Sequence, residues 1–393
     1  MNSMERAIFR HRWSGEKQVS LSSVVSISAL ALALAQGFSF RASAGAAPDA
    51  AMLPRLVQSP GGERLLATES VSKSTAPMAE LIESRKIWDA APHNAFTDLL
   101  RHRGEWFCVF REGSGHIPGT NGVIRVLHST DGGTWKSAAL VRQPGLDLRD
   151  PKICVRLDSQ LMLLMGGSTY AGEEGPKDRA FVRARTRVAF SKDGREWTAP
   201  VPVSVEGEWL WRVNWHKGVG YGFGYTFLVP ARDVSLTLWR TADGLNYERV
   251  AAPPVPPGCW PDETTIRFLA DDTMVALVRG EQSNHHAFVG TSRSPYTSWR
   301  WADTGHAAQG PNFLVLPEGR MLYAGRDFPA GAKTVFGALT ATNATPLLTL
   351  PSGGDTSYPG LVWHDGVFWM SYYASHEGKA SIYLARIRCR FSE

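Results

Sequence analysis

Ionisable and aromatic side chains gather at two kinds of position in this 393-residue sequence. At the openings of apolar runs stand Asp98, Asp150, Arg212, Asp262, Glu263, Asn312, Asp355 and Tyr358. At the ends of the runs that follow stand Arg111, Glu112, His116, Arg232, Arg279, Glu281, Arg326, Asp327, His376 and Glu377. Arginine occurs in four of those second places. A planar guanidinium holds a carboxylate bidentately, so four arginines converging on one mouth would form a pocket for an anionic group. Taken singly, each is more ordinarily a solvated rim charge or the partner of a neighbouring acid. Tyrosine, carboxylate and histidine side chains among them are also residue types that can act as nucleophiles or proton carriers. The competing reading of Tyr358 is a core or pocket-wall aromatic.

Whether these groups meet depends on the elements between them. "RVLHSTDGGTW" (Arg125 to Trp135) is followed by "VAFSKDGREW", and Asp131, Asp193 and Asp243 head "STDGGTW", "SKDGREW" and "TADGLNY". A weaker fourth copy, "SRSPYTSW", runs from Ser292 to Trp299. An interval of about fifty residues predicts repeated sheet units. Each copy reads as a hairpin turn: the Asp accepts backbone N–H groups, the Gly supplies a positive φ, and the aromatic residue packs back on the sheet. Gly (38), Pro (24) and Trp (14) are abundant, which favours short strands and turns over helices.

These stretches resemble the Asp boxes of the sialidase (neuraminidase) superfamily over roughly Glu80 to Arg388. The resemblance implies an all-β, six-bladed β-propeller of four-stranded antiparallel blades. Six inner strands can be counted independently, opening near Phe96, Arg149, Leu210, Asp262, Pro311 and Asp355. The last unit lacks a fourth strand, while "ESRKIWDAAP" (Glu83 to Pro92) resembles a fourth strand without a blade. The N-terminal segment is therefore expected to close the last blade, leaving no open edge there. In such a blade the Asp-headed turns fall at the opposite end from the charged mouth, which makes their aspartates scaffold.

The resemblance also implies roles. "DETTIRFLADDTMVALVRG" resembles the family segment carrying a Glu and an Arg, here Glu263 and Arg279; "DTSYPGLVWHDGVFWMSYY" resembles the one with the nucleophilic tyrosine, here Tyr358. "RDPK" places Asp150 in the pocket, and Arg326 falls near the expected third carboxylate-binding arginine. A phenol activated by a carboxylate suits an anomeric carbon that itself bears a carboxylate, because an anionic nucleophile would be repelled. Two departures stand beside these matches. Ala95 in "HNAFTDL" occupies the place of the family's first arginine, and "REGSGHIPGTNG" (Arg111 to Gly122) has no Asp to serve as acid/base. Glu112 and His116 are the candidate replacements for the acid, and Arg111 for the cation; Asp355 and His376 complete the expected substrate-binding set.

Residues 1–44 read as an export signal: Arg6, Arg10, Arg12 and Lys17 precede an apolar run from Val19 to Ala35, and "ASA" ends at Ala44. The five serines in that run argue against a membrane anchor. Residues 45–79 read as a flexible leader and 80–393 as the domain. The signal carries five basic and two acidic residues, a net +3, so the formal +5 of the chain leaves +2 after cleavage. Nucleic acid is therefore not an expected partner. Cys108, Cys154, Cys259 and Cys389 have no metal-ligand spacing, and no metal or cofactor is assigned. The leading expectation is a secreted or periplasmic exo-glycosidase acting on terminal, anionic sugars of glycans. The alternatives are a polysaccharide lyase or histidine-dependent glycosidase using His116, His285 or His376, and a non-catalytic glycan-binding propeller stacking sugars on Trp209, Trp211, Trp215 and Trp260.

Overall fold

The computed structural model describes residues 78–391, apart from 117–118, 173, 176–178, 228 and 230–232. The expected signal, nearly all of the leader, and Arg232 lie outside the described residues. The described chain forms 25 strands in six antiparallel sheets, the blades of a β-propeller. Among the described residues no helix is long and apolar enough to cross a membrane. Blades 1 to 5 follow one another along the chain. Blade 6 takes three strands from the C-terminal end and its fourth from Met78–Trp88, which pairs with Ser381–Arg390. This closing strand begins five residues before the expected Glu83. Met78 and Ala79, placed with the leader by composition, pair with Arg390 and Cys389.

The blades form because their strands alternate, and they hold together because their faces are apolar on both sides. Phe107, Val109, Ile124 and Val126 of blade 1 pack on Leu148, Ile153, Leu161 and Leu163 of blade 2. Similar layers join blade 4 to blade 5 and blade 5 to blade 6. A large apolar side chain buried in such a layer contributes roughly 1.5–3 kcal/mol.

The three Asp-headed turns are built alike. Asp131 Oδ1 accepts the amides of Gly133 (2.7 Å) and Thr134 (2.8 Å), and Asp193 and Asp243 bind their own turns in the same way. The glycines that follow have φ of +69°, +76° and +77°. In the fourth copy Tyr296 takes the glycine's place at φ +66°, and Trp299 donates to its carbonyl as Trp135 does to that of Gly132. Because these turns join third to fourth strands, they lie at the opposite end from the loops that join second to third.

The first strands line the axis, and each is interrupted at the same height. Register shifts fall between Ala95 and Asp98, Arg149 and Lys152, Pro261 and Thr264, Gln309 and Asn312, and Ser357 and Gly360. In blade 3 the strand breaks altogether, into Glu208–Leu210 and Asn214–His216. Bulges re-aim side chains, and here they bring Phe96, Asp150, Glu263 and Tyr358 to one level. Phe96, Asp150 and Tyr358 adopt φ of +64°, +48° and +51°, a region that costs a non-glycine residue free energy and clusters at functional sites.

Candidate active site

At the bulged level the Tyr358 hydroxyl donates to Glu263 Oε1 at 2.5 Å. Glu263 Oε2 accepts Arg279 Nη1 and the Gly310 amide, both at 2.8 Å, and Arg279 Nη1 also reaches the Tyr358 oxygen at 2.9 Å. Three blades thus converge on one phenol. Gly310 is required here: its φ is +61°, and a Cβ would stand 2.7 Å from the Tyr358 ring. Burial and the Glu263 charge push the Tyr358 hydroxyl well above its ordinary value, against the pull of Arg279 and Arg326. The resting phenol is therefore neutral, and Glu263 is placed to accept its proton.

A second cluster adjoins the first. Asp355 Oδ2 accepts His116 Nδ1 at 2.6 Å and His93 Nε2 at 2.9 Å, while Oδ1 accepts the Tyr373 hydroxyl at 2.7 Å. Burial opposes ionisation of Asp355, but His116, the hydrogen bonds from both histidines, and Arg326 together hold it well below the usual carboxylate range. Burial lowers His116 to about 4, Asp355 pulling it back and Arg149 and His93 adding to the fall. With Nδ1 held by Asp355, the tautomer is set and Nε2 is the nitrogen left for proton transfer. The Phe96 ring links the clusters, 5.0 Å from His116 and 5.1 Å from Tyr358.

Asp150 is almost fully buried, no hydrogen bond among the described residues reaches either carboxylate oxygen, and Arg149 Nε is 3.8 Å away. Burial, reinforced by Glu263 and opposed by Arg149, Lys152 and Arg111, raises its pKa to about 6. Lys152 Nζ donates to the Pro151 carbonyl and sits 4.3 Å over Trp211, its pKa lowered to about 8 by burial and Arg212.

Other expected residues have different surroundings. The Glu112 carboxylate is held by Arg125 (2.8 Å) and by Trp88 Nε1 (2.7 Å), on the side of blade 1 that meets the closing strand. Strand alternation explains this: neighbouring Arg111 faces the other way, into Asp147 at 2.8 Å and the Gly115 carbonyl at 2.9 Å, and so ties down the loop that carries His116. His376 packs tilted against the Tyr383 ring, beside Glu377. Asp98 and Arg212 pair bidentately within the axis instead of standing on the rim. Trp209 and Trp211 are core residues, 1% exposed, which removes them as sugar platforms. His93, Phe96, Lys152 and Tyr373 entered the site unforeseen. Lys152 had a signal, a charge inside an apolar inner strand; His93 had none, since it reaches Asp355 only through closure of the ring, and Tyr373 reaches it only through the pairing of the first two strands of blade 6.

No known family model matches the chain, and no curated protein matches it in sequence. Solved structures do match in fold. A protein of unknown function from Dyadobacter fermentans superposes with a TM-score of 0.70 at 19% identity, covering 80% of this chain and all of that one. An alpha-L-arabinofuranosidase from Fusarium graminearum, solved with an iminosugar inhibitor, gives 0.59 at 14% identity, covering 78% of this chain and 98% of that one. The Trypanosoma rangeli sialidase, solved with sialic acid, gives 0.56 at 13%, covering 79% of this chain and 59% of that one. The chain is similar to glycosidase propellers in fold.

Proposed function

We propose that the protein is a retaining exo-glycosidase in which Tyr358 is the nucleophile, Glu263 its base and His116 the acid/base. The observation that carries this reading is the hydrogen-bonded trio of Tyr358, Glu263 and Arg279. As the Tyr358 oxygen bonds to the anomeric carbon, its proton passes to Glu263, the glycosidic bond breaks, and the leaving oxygen takes a proton from His116 Nε2. In the second half, His116 removes a proton from the attacking water, the tyrosyl–sugar bond breaks, and Glu263 returns the proton to Tyr358. Arg279 steadies charge on both oxygens, Asp355 orients His116, and Asp150, whose oxygens accept hydrogen bonds, binds sugar hydroxyls. The basic start, apolar run and small-residue site of residues 1–44 support export.

The test is trapping. A panel of 2-deoxy-2-fluoro aryl glycosides should leave a sugar on the peptide containing Tyr358, detected by mass spectrometry. Label on a carboxylate instead, or release of unsaturated products absorbing in the ultraviolet, would replace this reading with a different hydrolase or with a lyase.

A further inference from the structure

We infer that the sugar taken at Tyr358 is neutral, because the arginines that would hold a substrate carboxylate already hold carboxylates of the protein itself. Arg279 donates through Nε to Glu281 at 2.5 Å and through Nη1 to Glu263 at 2.8 Å. Arg326 Nη2 lies 3.5 Å from Asp355 Oδ1, and its Nε and Nη2 donate to the Thr356 carbonyl at 2.9 and 2.7 Å. Three internal carboxylates therefore face two guanidiniums. An arriving substrate carboxylate would meet guanidiniums whose charge is already balanced and would add an uncompensated negative charge to a buried site, which is costly. Other described cations around the site are engaged as well. Arg111 and Arg149 share Asp147, Arg212 is taken by Asp98, and Lys152 is 4% exposed and lies over Trp211.

Asp150 points the same way. Its two buried oxygens accept and do not donate at neutral pH, so they are satisfied by hydroxyl donors and repelled by an anion. Ala95 adds no charge at the place where the family resemblance would put a further arginine. The site thus offers acceptors and pre-neutralised cations, the complement of a polyhydroxy ring without an acidic substituent.

This inference rests on the glycosidase reading, and the experiment separates the two. Binding of matched lactones to the mature chain is measured by calorimetry: aldonolactones, which are neutral, against aldarolactones, which carry a carboxylate where the former carry a hydroxymethyl group, with 2,3-didehydro-sialic acid as a second anion. Hydrolysis of aryl pentosides and hexosides is followed beside aryl sialosides and uronides. The expected result is that an aldonolactone binds at least about tenfold more tightly than its acidic counterpart and that only neutral glycosides are cleaved. Tighter binding of either anion, preferential cleavage of an anionic glycoside, or binding of no lactone overturns the inference. Neutral binding without cleavage of any glycoside upholds it and removes the glycosidase reading instead.

Discussion

The Tyr358 hydroxyl and the Glu263 carboxylate lie 2.5 Å apart although 95 residues separate them, each delivered by a bulged first strand of its own blade. If they act as nucleophile and base, Tyr358→Phe and Glu263→Gln should each lower turnover by on the order of 10³-fold, and the double variant should lose little more than either single one. Steady-state rates on the cleaved glycoside decide this. A Tyr358→Phe protein with near-native turnover would move the chemistry elsewhere.

Glu112 and His116 stand four residues apart in the sequence yet have opposite surroundings. His116→Ala should reduce turnover about 10²–10⁴-fold with little change in stability. Glu112→Gln should leave turnover nearly intact and cost about 1–3 kcal/mol by urea denaturation, because it weakens the hold on Arg125 and Trp88. The reverse pattern would make Glu112 the acid.

Burial lowers the His116 imidazole to about 4, and in the proposed mechanism its protonated form is the acid of the first step. Turnover limited by that step should therefore be highest on the acid side and fall as pH rises above about 4. A rate that climbs steadily from pH 4 to 8 excludes His116 as the acid.

Asp150 is held at about 6 in the folded protein against an ordinary 3.8. The folded state then binds this proton more tightly than the unfolded state does. The cost to stability is absent below about pH 3.8, grows between 3.8 and 6, and is fully present above 6, where it reaches about 3 kcal/mol. Asp150→Asn should accordingly stabilise the protein at pH 7.5 and hardly at all at pH 4, as read by chemical denaturation at both pH values. Equal effects at the two would show that Asp150 is not the group under strain.

Gly310→Ala tests the support beneath the nucleophile. The added Cβ meets the Tyr358 ring in a backbone region that disfavours side chains, so turnover should fall by at least about tenfold while Tyr358 and Glu263 are both retained. Unchanged kinetics would mean the ring can shift without consequence.

The repeat was legible in the sequence because a hairpin turn is a local object. Asp131, Asp193 and Asp243 bind amides two or three residues away, so their spacing marked repeated sheet units, the six inner-strand openings set their number, and the missing last strand pointed to closure by an N-terminal strand expected at Glu83 to Pro92 and found at Met78–Trp88. Which acid faces the axis was not local. Arg111 and Glu112 are neighbours whose side chains leave opposite faces of one strand, and only its register against the blades on either side sends one toward Asp147 and the other toward Arg125. The bulges were equally hidden, since Phe96, Asp150 and Tyr358 enter left-handed backbone where no glycine announces it. His93, His116 and Asp355, taken from blades 1 and 6, meet because the ring closes, whereas Arg279 finds Glu263 and Glu281 within blade 4 and Arg326 finds Asp355 across the step from blade 5 to blade 6. Residue types set which charges were present; the packing of strands within and between blades decided which of them were already paired, because a buried charge without a partner is too costly to leave.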